Sequence, residues 1–186
     1  MTTPTAAKRA FREVYDGHSD AIARYCLRRL STHDAQDATA EVFLVAWRRF
    51  GEVPSGDEAL LWLYRVAHNV VRNAHRSKTR ARRLAARVHR EPTYHEPGPE
   101  PQIVRRERDQ EVVDALGRLS DGDREVLRLR AYERLSIPQI SSVLGCSEEA
   151  AKKRVARALR RLGAQLPEAA APARQRLRSI EQRGGP

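Results

Sequence analysis

Aromatic side chains make up only 5% of the 186 residues, and there are just two cysteines and one methionine. With so few aromatics, any core has to rest on Leu, Val, Ile and Ala. Two cysteines, Cys26 and Cys146, permit one disulfide at most and exclude a disulfide framework. Each is read as a small buried side chain in preference to a functional thiol. No apolar run approaches the roughly 18 residues of a membrane span, so none is expected. Residues 1–10 lack the apolar centre of a secretory signal, which makes the cytoplasm the expected location. Also missing are a Gly-rich phosphate loop, a metal-ligand cluster and a nucleophile elbow. No cofactor, metal or catalytic residue is therefore expected.

What the chain has in excess is positive charge: 35 Lys and Arg against 24 Asp and Glu, a net +11. Such a surplus favours a polyanionic partner. At 40% hydrophobic and 32% charged, the chain is too apolar to be disordered and too charged for one large core.

Two helical blocks are expected. The first covers 11–90, after an N-terminal tail of 1–10. Val14, Ile22, Cys26 and Leu30 recur at helical spacing, with Phe11 and Tyr15 extending the stripe and Gly17 and Ser19 as interruption points. After Asp34, the residues Val42, Phe43, Ala46, Trp47 and Phe50 form a second apolar face. The segment Gly51–Asp57 is a loop by its Gly and Pro content. A third helix carries Leu60, Leu63, Tyr64, Ala67, Val70 and Val71. Pro92, Pro97, Gly98, Pro99 and Pro101 mark 91–108 as an extended linker. The second block, 109–166, begins with Val112, Val113, Leu116 and Leu119 on one helix. The tail 167–186 is too short for a core of its own. Since no stretch alternates as a half-buried strand does, the fold class is all-α: two small helical domains on a flexible linker.

The segment from Ser136 to Leu162 carries the strongest local pattern. Ser136-Ile137-Pro138-Gln139 is a capping box with Pro in the first turn. Gly145 stands where a left-handed residue closes a helix, and Ser147 caps the next one. That helix presents Lys152, Lys153, Arg154, Arg157, Arg160 and Arg161, with no acidic residue between Ala150 and Pro167. A charge run by itself is as readily a solvated face. Two capped helices around a Gly turn make it a helix-turn-helix whose second helix fits the major groove.

Two further patterns lie in the first block. Arg65, Asn69, Arg72, Asn73 and Arg76 fall on adjacent turns of one helix, beside Trp62 and Tyr64. Cations track phosphates, amides read base edges and aromatics stack on bases exposed from a melted strand. The aromatics are equally readable as core. Asp34, Asp37 and Glu41 share a stripe, either solvated or docked on a basic partner.

Taken in order, these stretches resemble the sigma factors of the extracytoplasmic-function subfamily. Asp34-Ala35-Gln36-Asp37 with Glu41-Val42-Phe43 and Ala46-Trp47-Arg48 is similar to the polymerase-binding helix of region two. Trp62-Leu63-Tyr64-Arg65-Val66-Ala67-His68-Asn69 resembles the helix that melts and reads the minus-ten element. Ala115-Leu116-Gly117-Arg118-Leu119 and Arg124-Glu125-Val126-Leu127 resemble the opening of region four. Ser136 through Arg161 resembles its minus-thirty-five-reading motif.

The resemblance implies two partners, core RNA polymerase and promoter DNA, and allows an anti-sigma factor as a third. It implies polymerase contact by Asp34, Asp37, Glu41 and Phe43. Minus-ten contact falls to Trp62, Tyr64, Arg65, Asn69, Arg72, Asn73 and Arg76, and minus-thirty-five contact to Ser147, Glu149, Lys152, Lys153, Arg154, Ala156 and Arg157. Ala38 and Ala40 depart from the larger residues usual there, and Glu148 and Glu149 from the usual small ones. A helix-turn-helix regulator with an unrelated N-terminal domain is the alternative, but it leaves the Asp34–Phe43 and Trp62–Asn69 patterns without a purpose.

Overall fold

The computed structural model describes residues 4–88 and 114–166, all of whose regular structure is helical. The chain divides into two compact units, Met1–Glu100 and Pro101–Pro186. The expected linker 91–108, the tail 167–186 and the helix positions Val112 and Val113 lie outside the described residues.

Three helices build the first unit: α1 (Pro4–Leu27), α2 (Thr32–Arg48) and α3 (Asp57–Val88). Each packs on the other two. Helix α1 opens on Pro4, where a missing N–H costs nothing. It therefore starts ahead of Phe11, inside the stretch expected to be a tail. It also runs unbroken through Gly17 and Ser19, because the apolar stripe buried on α2 and α3 outweighs the modest helix penalty of one glycine. Ser31 caps α2: its Oγ accepts from the Asp34 N–H and its hydroxyl donates to the Asp34 carboxylate. A single tight turn, Phe50–Glu52, carries the chain toward α3. Gly56 takes φ +67, a left-handed value, just before α3 begins.

The core of this unit holds Ile22, Tyr25, Cys26, Leu30, Val42, Ala46, Leu63 and Ala67, all nearly inaccessible to water. Arg29 is buried with them. Its guanidinium lies 3.5 Å from the centre of the Tyr25 ring and donates to the Tyr25 carbonyl at 2.9 Å. Cys26 and Cys146 are both free thiols. Burial pushes the Cys26 thiol up, more than a hydrogen bond with Thr39 and the charge of Arg29 pull it down. It is an apolar filler, not a thiolate.

The second unit comprises a helical turn at 114–117, then α4 (Asp121–Ala131), α5 (Ile137–Leu144) and α6 (Glu148–Gln165). Side-chain caps open all three helices: Ser120 accepts from Asp123 N–H, Ser136 and Gln139 form a reciprocal box, and Ser147 accepts from Ala150 N–H. Arg124 closes the preceding turn by donating to the carbonyls of Leu116, Gly117 and Leu119 at 3.0–3.1 Å. Arg130 donates to the Leu135 carbonyl at 2.8 Å, bracing the turn in which Arg134 adopts φ +55. The core is aliphatic: Leu129, Leu135, Ile140, Val143, Ala151, Val155, Ala158, Leu159 and Leu162 are buried.

Gly145 ends α5 at φ +62, ψ +44. A Cβ there would meet nothing within 4 Å. Gly145→Ala is therefore expected to cost this unit about 1–2 kcal/mol through backbone strain alone. Gly145→Asn is expected to cost less, because Asn tolerates the left-handed region. Urea unfolding of the two variants checks this, and equal costs would point to something other than φ.

Candidate nucleic-acid and polymerase surfaces

The outer side of α6 divides into two edges. Glu149, Lys152, Lys153, Ala156 and Arg160 recur at spacings of three and four on one edge, while Arg154, Arg157 and Arg161 do so on the other. Arg157 and Arg161 of the second edge reach Asp123 of α4. Arg161 Nη1 lies 2.5 Å from one oxygen of Asp123 and Arg157 Nε lies 4.0 Å from the other. The Asp123 side chain is only 7% exposed. The first edge faces away from this pair, and Ala156 is its only half-buried member. Glu149 and Lys153 form an exposed ion pair at 3.3 Å.

Burial by itself would raise the Asp123 pKa. Hydrogen bonds from Arg161 and Ser120, with the charge of Arg157 nearby, outweigh it and hold the carboxyl below the usual range. A depressed carboxylate stabilises the fold at neutral pH. That contribution is lost as the pH falls through the lowered value.

On α3, the side chains of Arg65, Asn69, Arg72, Asn73 and Arg76 are all exposed and form one continuous polar strip. Trp62 is half-buried at its start. Tyr64 is not on this strip: it is 6% exposed and its ring is tilted against Tyr25 with centroids 5.4 Å apart. Its position, two residues from Trp62, puts it on the inward side of the helix.

Helix α2 shows a similar partition. Asp37 and Glu41 are exposed. Phe43 is 5% exposed, set edge-on against Tyr15 at 4.7 Å. Asp34 is half-buried and occupied at home, bound by Ser31 and by Lys78 of α3. Those hydrogen bonds, Lys78's foremost, hold its carboxyl below the ordinary range. Sequence reasoning passed over Leu44, which is 41% exposed and lies on the stripe of Asp37 and Glu41. The available signal was its exclusion from the apolar face of Val42, Phe43 and Ala46. Trp47, expected to be core, is likewise 41% exposed, with one edge on Phe11.

Among the described residues, no group of His, Cys, Asp and Glu could hold a metal ion. No helix among them is long and apolar enough to cross a membrane.

A helix-turn-helix with a basic outer side, preceded by a three-helix unit bearing acidic and basic faces, defines a factor of the sigma class. The comparisons agree. Residues 14–81 match Sigma-70 region 2 and residues 109–162 match Sigma-70, region 4. The RNA polymerase sigma factor CnrH of Cupriavidus metallidurans is 30% identical over 172 residues, covering 86% of this chain and 87% of CnrH. The ECF RNA polymerase sigma factor SigL of Mycobacterium tuberculosis is 30% identical over 159 residues, covering 84% and 89%. The structure of CnrH in complex with the cytosolic domain of CnrY matches with a TM-score of 0.57 at 27% identity, covering 84% of this chain and 87% of CnrH.

The chain belongs to the sigma factors of the extracytoplasmic-function subfamily. It binds core RNA polymerase and promoter DNA and directs transcription initiation. A regulator with an unrelated N-terminal domain is not favoured, because residues 14–81 are themselves a sigma region.

Proposed function

We propose that the first unit docks on polymerase through α2 and opens the minus-ten element with α3, while α6 reads the minus-thirty-five element. The observation that carries this is the division of α6: one edge held against α4 and the other, with Glu149, Lys152, Lys153 and Ala156, turned outward. With Ser147 at its cap, the start of α6 enters the major groove and the outward edge meets base edges. Arg154 and Arg157 lie toward the phosphates.

On α3, Arg65, Arg72 and Arg76 track the backbone. Asn69 and Asn73 present amides to bases, and Trp62 stacks on one. The Gly51–Leu61 segment receives a base flipped from the nontemplate strand, its contacts offsetting the few kcal/mol of unstacking. Asp37, Glu41 and Leu44 meet the polymerase, with Asp34 and Phe43 supporting that surface from beneath. The chain performs no chemistry itself, polymerase supplying it, and it acts in the cytoplasm. Since CnrH is seen with the cytosolic domain of CnrY, a comparable protein partner is proposed here.

Run-off transcription with bacterial core polymerase and genomic fragments tests the whole reading. Discrete starts that need this chain are expected, and none beyond those of core alone would overturn it. Within the helix, Lys152→Ala or Lys153→Ala is expected to relax minus-thirty-five preference by about 1–3 kcal/mol. Arg157→Ala is expected to weaken all sequences alike. Binding-site selection by the holoenzyme with each variant distinguishes these. A changed consensus for Arg157→Ala would mean that α6 is rotated about its axis from this placement.

A further inference from the structure

Asp123 stands outside every DNA-facing stretch of the sequence, yet its two carboxylate oxygens are shared between Arg161 and Arg157 of α6. The Asp123 side chain is almost wholly buried, while those of Arg161 and Arg157 are about half exposed, at 55% and 51%. A guanidinium carries five N–H donors in a rigid fork. One donor of Arg161 is committed to Asp123, so the outer part of the fork remains available to solvent or to another anion. Asp123 is itself fixed at the start of α4, where its N–H is held by the Ser120 cap at 3.2 Å.

We propose that Asp123 is a positioning residue that orients Arg157 and Arg161 as a pre-set pair of phosphate clamps beside the base-reading edge, and that Arg161 is a phosphate contact. This rests on α6 being the DNA-reading helix. Ordering a long side chain on binding costs roughly two- to tenfold in affinity for each one. Asp123 removes much of that cost in advance.

The test uses the full chain and a short random-sequence duplex, since phosphate contacts are independent of sequence. Asp123→Asn is expected to weaken duplex binding several-fold, and Arg161→Gln to weaken it and to lower the salt slope by about one. In an Arg157→Gln, Arg161→Gln background, Asp123→Asn is expected to bring no further loss. A merely structural role would show the same loss in either background.

Tighter duplex binding by Asp123→Asn would overturn the proposal, because Asp123 would then be competing with phosphates for the arginines. If Asp123→Asn does not fold, half-exposed Arg161 still decides: an unchanged salt slope in Arg161→Gln overturns the clamp. Lys152→Ala combined with Lys153→Ala separates the two readings. If that variant loses affinity while those at Asp123 and Arg161 do not, only the clamp fails. If none of the three loses affinity, α6 is not the DNA-facing helix, and both fail.

Discussion

Asp37→Arg combined with Glu41→Arg is expected to lower the affinity of the full chain for core RNA polymerase roughly ten- to a hundredfold. Both side chains are exposed on α2 with Leu44 on the same stripe. Neither reaches the core, so helix content and thermal unfolding should stay near those of the unaltered chain. The loss arises because two attractive contacts become like-charge contacts against a basic partner helix, and screening at these exposed positions holds the total cost to about 1.4–2.8 kcal/mol. Salt dependence supplies a second readout. The binding of the unaltered chain should weaken with added salt, whereas that of the reversed chain should weaken less or even recover, since salt screens its repulsion. Equilibrium titration with core enzyme at two salt concentrations measures both. Unchanged affinity would remove the acidic stripe from the interface. Asp34 is left out of the variant because it is bound by Ser31 and Lys78, and reversing it would confuse docking with packing.

The largest stability effect is expected from Ile140→Ala. Ile140 is fully buried on α5. Truncating such a side chain costs about 2–5 kcal/mol, from lost transfer energy together with the cavity left behind. Small domains have only about 5–15 kcal/mol in total, so the second unit should lose much of its margin and its melting temperature should fall by about 10 °C or more. Because α6 packs on α5, the scaffold that holds Lys152, Lys153 and the Asp123 pair is weakened with it. Duplex binding near the new melting temperature should then be lost while polymerase binding through the first unit persists. Thermal unfolding followed alongside both binding assays checks this. Equal loss of the two activities would show that the units do not fold independently.

Much of the second unit was legible in the sequence because its signals are local. The Ser136 and Ser147 caps, the Gln139 half of the capping box and the left-handed Gly145 each act within four residues. The chemistry that places them needs no knowledge of the rest of the chain. The basic run on α6 and the strip from Arg65 to Arg76 were legible for a similar reason: a solvated helix face is defined by spacing, and charge is read directly from residue type.

Tertiary structure decided which neighbours of those faces turn inward. Phe43 and Tyr64 sit beside exposed functional stripes, and an aromatic there is compatible with either side until a partner such as Tyr15 or Tyr25 claims the ring. Trp47, read as part of the apolar face, went the other way and stays 41% exposed, in ring contact with Phe11. The continuity of α1 through Gly17 was also a tertiary outcome, since the packing of its stripe overrides the local weakness. Least legible were the long-range ion pairs. Asp123 and Arg161 are 38 residues apart in sequence, and Asp34 and Lys78 are 44 apart. Nothing in spacing or composition selects one carboxylate among many for one cation among many. Only the packing of α6 on α4 and of α3 on α2 brings them within reach, so the sequence determined that α6 is basic and the fold decided which of its cations are held in place.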